Sequence, residues 1–330
     1  MLLCAVLQAK DVRHAELAQR LPGGAKIESA VRRVERFFDR HPLDQQDTAR
    51  LVLRLLPDTG PRTFLLDRTN WQLGNQHVNV LVLAVVWRGV AVPLLFELLP
   101  HGGSSDQLTR QTLLDDALTL LTAQQVEVLI ADREFIGHDW LDDLLTRGVH
   151  CCIRLRNNTL LDDLPASQWW PNLGVGERGL ITHDVEVHGL PLQVAATIGQ
   201  DGERVIVAGN VPAARLLALY RKRWKIECLF RHLKSKGFRL ENTHMALHDH
   251  LERLLCLLTL AFVWSVVIGL EEPARIKGHG RAAWSAFTLG LRRLVQAFTR
   301  AASGLPETLL ALITQAFASL HTVKSESVGY

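Results

Sequence analysis

Four side chains in one short segment, Tyr220, Arg223, Glu227 and Lys234, combine a carboxylate with a hydroxyl group and two cations. Their spacing places them within an arc of about 60° if the segment is an α-helix, so they would share one face. An i,i+4 ion-pair ladder would explain a carboxylate beside a base, but it stabilises a helix only slightly and leaves surplus positive charge unpaired. A phosphate bound beside a metal-binding carboxylate explains both signs of charge.

The segment around these residues is strongly basic. Residues 220–240 contain eight lysines and arginines against one acid, Glu227, whereas the whole chain of 330 residues has a net charge of only +3. Such a concentration of positive charge favours a polyanionic partner. A solvated helix face is the alternative.

Two aspartates follow predicted apolar strands. Asp67 follows TFLL and Asp132 follows VEVLIA. A carboxylate at the end of a buried strand is costly unless it is hydrogen-bonded or binds a metal, although each aspartate alone could be a helix cap or turn former. If the first strand lies beside the fourth, the two carboxylates are neighbours. With Glu227 they would form a site of the kind that binds two Mg²⁺ ions for phosphoryl transfer.

The elements that must position these residues follow from hydrophobic periodicity. The pattern predicts a helical start, then three strands, a helix, a strand, a helix and a strand, which is an α/β layer with a mixed sheet. A small antiparallel β insertion and a helical remainder complete the chain. The predicted segments are 1–58 (helical), 59–156 (first part of the core), 157–210 (β insertion), 211–270 (second part of the core) and 271–330 (helical).

The N-terminal segment offers a second candidate surface for DNA. Two predicted helices joined by Pro-Gly-Gly resemble a helix-turn-helix in outline, with Val31, Val34 and Phe38 at helical spacing on the second helix. The same helix carries three arginines that could contact DNA. These are Arg32, Arg33 and Arg36. An ordinary helical hairpin is the alternative.

Composition excludes several other classes of protein. The five cysteines show no paired spacing, which argues against a disulfide framework or a zinc site and favours a reducing cytoplasm. The N-terminus lacks the pattern of a secretion signal. One uncharged stretch, Leu254 to Leu270, lies at the lower limit for a membrane span, and we predict that it is a buried core helix.

The motifs LLDRTNW and LIADREF, followed by a helix with Y-(2)-R-(3)-E-(6)-K spacing, resemble the insertion-sequence four family of bacterial DDE transposases. The resemblance extends from PGGAKIESAVRRVERFF to IKGHGRAAWSAFTLGL. It implies an RNase H-like core with a β insertion before the glutamate, and a metal triad of Asp67, Asp132 and Glu227.

The resemblance also implies roles for other side chains. Tyr220, Arg223 and Lys234 would contact phosphates of the transposon ends. In relatives that cleave through a DNA hairpin, tryptophans of the insertion hold a flipped base, and Trp169 or Trp170 could be similar. Packing of both rings in the core is the simpler interpretation.

The expected activity is cut-and-paste transposition with two Mg²⁺ ions, for which Mn²⁺ could substitute. The expected partners are transposon-end and target DNA and a second copy of the chain in the synaptic complex, without a membrane. The expected location is the cytoplasm, at the nucleoid. An RNase H-like nuclease without strand transfer and a catalytically inactive DNA-binding relic are the alternatives. The intact carboxylate triad argues against the relic.

Overall fold

The computed structural model describes residues 1–57, 60–73, 76–273, 275–278, 280 and 282–302. The chain divides into two compact units. Unit 1 comprises residues 1–59, 71–78 and 229–330, and unit 2 comprises residues 60–70 and 79–228. The helices predicted for residues 303–330 lie outside the described residues.

The α-helices of the described residues include four near the N-terminus and two long ones near the end. Their bounds are α1 (Leu2–Ala9), α2 (His14–Ala18), α3 (Ile27–Arg40), α4 (Gln45–Leu55), α5 (Gln107–Leu120), α6 (His138–Thr146), α7 (Ala213–Tyr220), α8 (Trp224–Arg231), α9 (His248–Glu271) and α10 (Ala286–Ala302).

The strands of the described part of the chain form one ten-stranded sheet. Their bounds are β1 (Arg62–Leu73), β2 (Gln76–Trp87), β3 (Val90–Leu99), β4 (Val126–Ala131), β5 (Cys151–Arg154), β6 (Leu160–Leu161), β7 (Leu164–Pro165), β8 (Arg178–Val187), β9 (Leu190–Ile198) and β10 (Arg204–Gly209). The strand order is β3-β2-β1-β4-β5-β10-β9-β8-β6-β7. The predicted mixed α/β class is confirmed.

The central strands β1, β4 and β5 lie side by side and position the candidate site. Strand β1 lies beside β4 in parallel, and their last register pair is Leu66 with Ala131. Strand β5 continues in parallel on the other side of β4. Phe64, Leu65 and Ile130 are fully buried, as expected for strands that are covered on both faces. The predicted neighbourhood of the first and fourth strands is therefore correct.

The predicted β insertion extends this same sheet. Strand β10 pairs in antiparallel fashion with β5 and with β9, and β9 pairs with β8. Trp170 packs against Gly179 of β8, where a Cβ atom would lie 2.3 Å from the indole nitrogen. Trp169 donates a hydrogen bond to the carbonyl of Leu161 over 3.3 Å. Both tryptophans thus have packing roles within the insertion.

Unit 1 is built around α9. Among the described residues this is the one helix long and apolar enough to cross a membrane. Of its most apolar 18-residue stretch, 78% is buried. Helix α3 directs Ala30, Val34 and Phe38 into the core. The predicted apolar stripe contained Val31 in place of Ala30; Val31 is only half-buried because it lies at the edge of that stripe.

The basic segment is not the single regular α-helix that the spacing predicted. After α7 the chain makes a 3₁₀ turn over Arg221–Arg223, continues as α8, and ends in a π-helical turn over His232–Lys236. These turns rotate by different angles per residue from an α-helix. The projection of about 100° per residue therefore does not hold from Tyr220 to Lys234.

Candidate active site

Asp67 and Asp132 occupy corresponding positions on two adjacent parallel strands. Each is the residue directly after the last register pair between β1 and β4, Leu66 with Ala131. Parallel strands end at the same edge of a sheet, so the carboxylates point out of one edge. Asp67 does not end its strand, as the sequence suggested, because β1 continues to Leu73 after its pairing with β4 has stopped.

The two aspartates are held by the same local hydrogen bond. The backbone N–H of Arg68 donates to Oδ1 of Asp67, and that of Arg133 donates to Oδ1 of Asp132, each over 2.8 Å. Asp132 is also the residue that precedes a 3₁₀ turn over Arg133–Phe135. One oxygen of each carboxylate is thereby fixed by the backbone, which leaves Oδ2 for other partners.

The guanidinium group of Arg223 joins all three carboxylates. Its Nη1 atom lies 3.0 Å from Oδ2 of Asp67 and 3.7 Å from Oδ2 of Asp132. Its Nη2 atom lies 2.5 Å from Oε1 of Glu227. The Tyr220 hydroxyl donates to Oδ1 of Asp132 over 3.0 Å. Five residues that were singled out in the sequence therefore meet in unit 2.

Burial determines the electrostatics of this cluster. It raises the pKa of Asp67 to about 6; the Arg68 N–H and the Arg223 guanidinium oppose the rise, and the Asp132 carboxylate adds to it. Burial also raises the pKa of the Tyr220 hydroxyl, against the effect of Arg223. Burial alone would lower the pKa of Arg223, but Tyr220 and the three carboxylates outweigh it, so the pKa is raised. Arg223 is a permanent cation and Tyr220 a neutral donor.

Comparison with known proteins identifies the family. A sequence profile of the transposase DDE domain matches residues 58–264, which is more than half of the chain and contains all three carboxylates. The chain belongs to the transposase DDE domain family. No protein in the curated set matches the sequence.

One solved structure agrees with the RNase H-like fold expected of a DDE transposase. The piggyBac transposase in its synaptic complex with hairpin DNA is similar over 99% of this chain and 75% of its own, with a TM-score of 0.51 and 11% sequence identity. An endonuclease V from Bacillus subtilis matches over 70% of this chain and 94% of its own, with a TM-score of 0.27 and 12% identity.

The donor set of this DDE transposase suits hard divalent cations. Asp67, Asp132 and Glu227 supply only carboxylate oxygens, which Mg²⁺ and Mn²⁺ prefer. Within the described part of the chain, no three side chains of His, Cys, Asp or Glu are already arranged around a common metal position. The carboxylates instead face Arg223. The residue types therefore fit a metal, while the present arrangement is organised around a guanidinium.

Lys234 belongs to the other unit of the transposase. It lies in the π-helical turn and forms an ion pair of 3.0 Å with Glu241, also in unit 1. The sequence spacing grouped it with Tyr220, Arg223 and Glu227 on one face of an α-helix.

The basic segment carries less unpaired charge than its composition suggests. Lys222 pairs with Glu127 over 3.2 Å, and Lys225 donates to the carbonyl of Gly89 over 2.7 Å. Arg239 lies 3.6 Å from the buried carboxylate of Asp11. Much of the positive charge in residues 220–240 is therefore engaged by partners that lie far away in the sequence.

The N-terminal arginines lie on α3 in unit 1. Arg33 and Arg36 line a cleft of about 590 Å³ whose wall also contains Phe37, Arg40 and His41. Arg32 is exposed, and its carbonyl accepts a hydrogen bond of 3.3 Å from Nε of Arg36. The arginines are accessible, and the cleft combines positive charge with apolar surface.

Sequence reasoning missed a second layer of residues beneath the aspartates. Arg68 donates from Nη2 to Glu134 over 2.9 Å and from Nη1 to Asn79 over 3.1 Å. Asn79 is buried and donates to the carbonyls of His101 and Gly103. The signal was present: both aspartates begin an Asp-Arg dipeptide, and the second dipeptide is followed by Glu134.

Proposed function

We propose that this chain is a cut-and-paste DNA transposase of the insertion-sequence four family. It would cleave the ends of its transposon and join the freed 3′-hydroxyl to target DNA. The observation that carries the proposal is the convergence of Asp67, Asp132 and Glu227 on one guanidinium within a transposase DDE domain. Three such carboxylates can serve cleavage and joining alike, because water and a 3′-hydroxyl are equivalent nucleophiles.

In this proposal the three carboxylates hold two Mg²⁺ ions, for which Mn²⁺ could substitute. Bound ions would activate the attacking oxygen and neutralise charge on the leaving oxygen. The side chains have separate tasks. The Arg68 and Arg133 N–H groups hold one oxygen of each aspartate, which fixes the direction of the other. Burial of Asp67 excludes water from its side of the site.

The phosphate contacts are assigned to the basic helical segment. Tyr220 would donate its neutral hydroxyl, and Arg223 and Lys234 would supply positive charge to the phosphates of the transposon end. The arginines of α3 would contribute to recognition of the end sequence; these are Arg32, Arg33 and Arg36. The fold resemblance to a transposase whose structure contains a synaptic complex with hairpin DNA supports DNA as the partner. We further propose a dimer on DNA and a cytoplasmic, nucleoid-associated location.

The decisive experiment removes each metal-binding charge while preserving volume. Asp67→Asn, Asp132→Asn and Glu227→Gln should bind end-containing DNA but lose Mg²⁺-dependent cleavage and joining. Asp184→Asn, on an exposed part of β8, is the matched control and should behave as wild type. Ca²⁺ should support binding with little cleavage, because it tolerates looser coordination. Near-wild-type cleavage by one of the three variants would remove that residue from the triad, and cleavage in chelator would exclude the metal mechanism.

The same assay separates the two alternatives. A nuclease without strand transfer would cleave end DNA and yield no joined product when target DNA is added. An inactive relic would bind DNA and cleave nothing with Mg²⁺ or Mn²⁺. Intact Asp67, Asp132 and Glu227 favour an active enzyme over the relic.

A further inference from the structure

Arg223 is the one side chain among the described residues for which contacts to all three triad carboxylates are found. Its side chain is only 16% exposed, and its guanidinium lies 5.8 Å from the centre of the Tyr220 ring. A half-exposed surface ion pair would contribute little, but here one cation is held among three anions in a site largely withdrawn from water.

Arg223 contacts the aspartate oxygens that accept no hydrogen bond from the backbone and are therefore the more open to a metal. The backbone N–H groups of Arg68 and Arg133 occupy Oδ1 of the aspartates, and Arg223 contacts Oδ2 of both. Oε1 of Glu227 is likewise in contact with the guanidinium. A divalent ion that binds these oxygens between the three carboxylates would occupy the space of the guanidinium and be repelled by its charge.

The charge of the three carboxylates favours replacement of the Arg223 guanidinium by divalent metal. One guanidinium leaves three carboxylates with a net charge of −2, whereas two divalent ions would more than neutralise them. A displaced guanidinium needs a new anionic partner, and a phosphate suits its planar set of donors. DNA phosphate would therefore lower the free-energy cost of moving the Arg223 guanidinium away from the carboxylates. Bound metal would likewise lower the free-energy cost of placing that guanidinium on DNA. Such coupling acts equally in both directions.

We propose that Arg223 is an internal counter-ion of the carboxylate triad that divalent metal must displace, and that the displaced guanidinium then binds DNA phosphate. This inference rests on the proposed function, because it takes the triad as the metal site. It assigns Arg223 two successive positions, one among the carboxylates and one on the substrate. Arg223 thereby couples metal binding to DNA binding.

The first test measures Mn²⁺ binding to the DNA-free full-length protein by electron paramagnetic resonance of free Mn²⁺. Arg223→Gln removes the competing cation and should tighten Mn²⁺ binding by about tenfold, within the usual range of coupling between sites. Arg223→Lys retains a positive charge and should remain closer to wild type. Arg215→Gln is the matched control, because Arg215 lies on α7, just before Arg223 in the chain, and pairs with Glu127 of β4 over 2.8 Å. The Mn²⁺ affinity of this variant should be unchanged.

The second test measures the wild-type protein itself, and a variant serves only to assign one resonance. Titration with Mg²⁺ alone should shift the ¹⁵N resonance of the Arg223 Nε–H group, which the spectrum of Arg223→Lys identifies. An unchanged resonance at saturating Mg²⁺, or Mn²⁺ affinity in Arg223→Gln equal to or weaker than wild type, would overturn the inference.

The same measurements distinguish this inference from the proposed function. If Asp67→Asn and Glu227→Gln abolish Mn²⁺ binding while Arg223→Gln fails to strengthen it, the triad is the metal site and the counter-ion role alone is wrong. If Asp67→Asn and Glu227→Gln bind Mn²⁺ as wild type does, the metal site lies elsewhere and the proposed function fails first.

Discussion

Arg68 and Glu134 form an ion pair, with 2.9 Å between Nη2 and Oε2, that connects the chain segments directly after Asp67 and Asp132. Arg68 directly follows Asp67, and Glu134 comes two residues after Asp132. Both side chains are mostly buried, and buried Asn79 accepts a second hydrogen bond from Arg68. The pair therefore limits how far the carboxylates of Asp67 and Asp132 can move apart.

Breaking this pair should impair catalysis mainly through geometry. Glu134→Ala leaves all three triad carboxylates in place but frees the turn after Asp132. Mg²⁺ demands near-ideal octahedral coordination, so we expect a larger loss of cleavage rate with Mg²⁺ than with Mn²⁺. The free energy of unfolding should fall by about 1–3 kcal/mol, the usual cost of leaving a buried polar group without its hydrogen-bond partner. Cleavage rates with each metal and urea unfolding measure the two effects.

A control and a rescue distinguish positioning from general destabilisation. Asp115→Ala breaks a more exposed ion pair with Arg147 in the same unit and should leave the ratio of Mg²⁺ to Mn²⁺ rates unchanged. Glu134→Asp keeps the charge and should restore part of the Mg²⁺ rate. Equal losses with both metals in Glu134→Ala would show that the pair does not position the carboxylates.

The raised pKa of Asp67 predicts how stability depends on pH in the absence of metal. Burial raises this pKa to about 6 from an ordinary value of 3.8, so the folded state binds the proton more tightly than the unfolded state does. The free energy of unfolding then falls as pH rises from about 4 to 6. Over this pH interval the wild type should lose about 3 kcal/mol of unfolding free energy relative to Asp67→Asn. Unfolding in chelator at several pH values, compared with Asp184→Asn, tests this, and parallel profiles for wild type and Asp67→Asn would contradict it.

The sequence allowed the two aspartates and Glu227 to be found because each has a local signature. Asp67 and Asp132 follow short apolar runs in the sequence, and a simple rule of strand adjacency brings them together. The partners of the basic segment have no such signature. Lys222 pairs with Glu127, 95 residues away, and that contact exists only once α7 has packed on the sheet. The π-helical turn at Lys234 could not be predicted either, because no periodicity in residues 220–240 indicates it.

The pairing of Lys222 gives the DNA-binding prediction a matched control. Replacing Arg223 and Lys234 with Ala should reduce the dependence of log affinity on log salt by two phosphate contacts, at a slope of about −0.9 per contact. Lys222→Ala removes one positive charge from the same segment. Lys222 contacts Glu127 and Thr63 and is not among the predicted phosphate contacts, so the slope should stay at the wild-type value. An unchanged slope in the double variant would show that Arg223 and Lys234 do not contact phosphate.

Recognition of the transposon end by α3 is best tested with point variants. Deletion of residues 1–58 would remove Val34 and Phe38 from the core of unit 1. We therefore replace three arginines with Ala and expect a loss of discrimination between end DNA and random duplex that exceeds the loss of overall binding. These are Arg32, Arg33 and Arg36. Arg50→Ala, at an exposed position of α4, is the control. Equal losses on both DNAs would count against end recognition.

The packing of α9 against α10 predicts a stability defect far from the chemistry. A Cβ atom at Gly290 would lie 1.7 Å from the carbonyl oxygen of Ser265, and one at Gly269 would lie 1.7 Å from that of Ala286. Both obstacles are backbone atoms and cannot rotate away. Gly290→Ala should therefore force the helices apart and reduce the free energy of unfolding by at least about 1–3 kcal/mol, the usual cost of overpacking.

The control for this prediction is Gly24→Ala, because a Cβ atom at Gly24 would meet open space. Gly24→Ala should unfold at the wild-type urea concentration, whereas Gly290→Ala should unfold at a lower one. The result also bears on the apolar stretch of α9. A helix inserted in a membrane would not be constrained by α10 in this way. A wild-type unfolding midpoint for Gly290→Ala would therefore mean that α9 does not pack on α10 in solution. The prediction that α9 is a core helix would then be wrong.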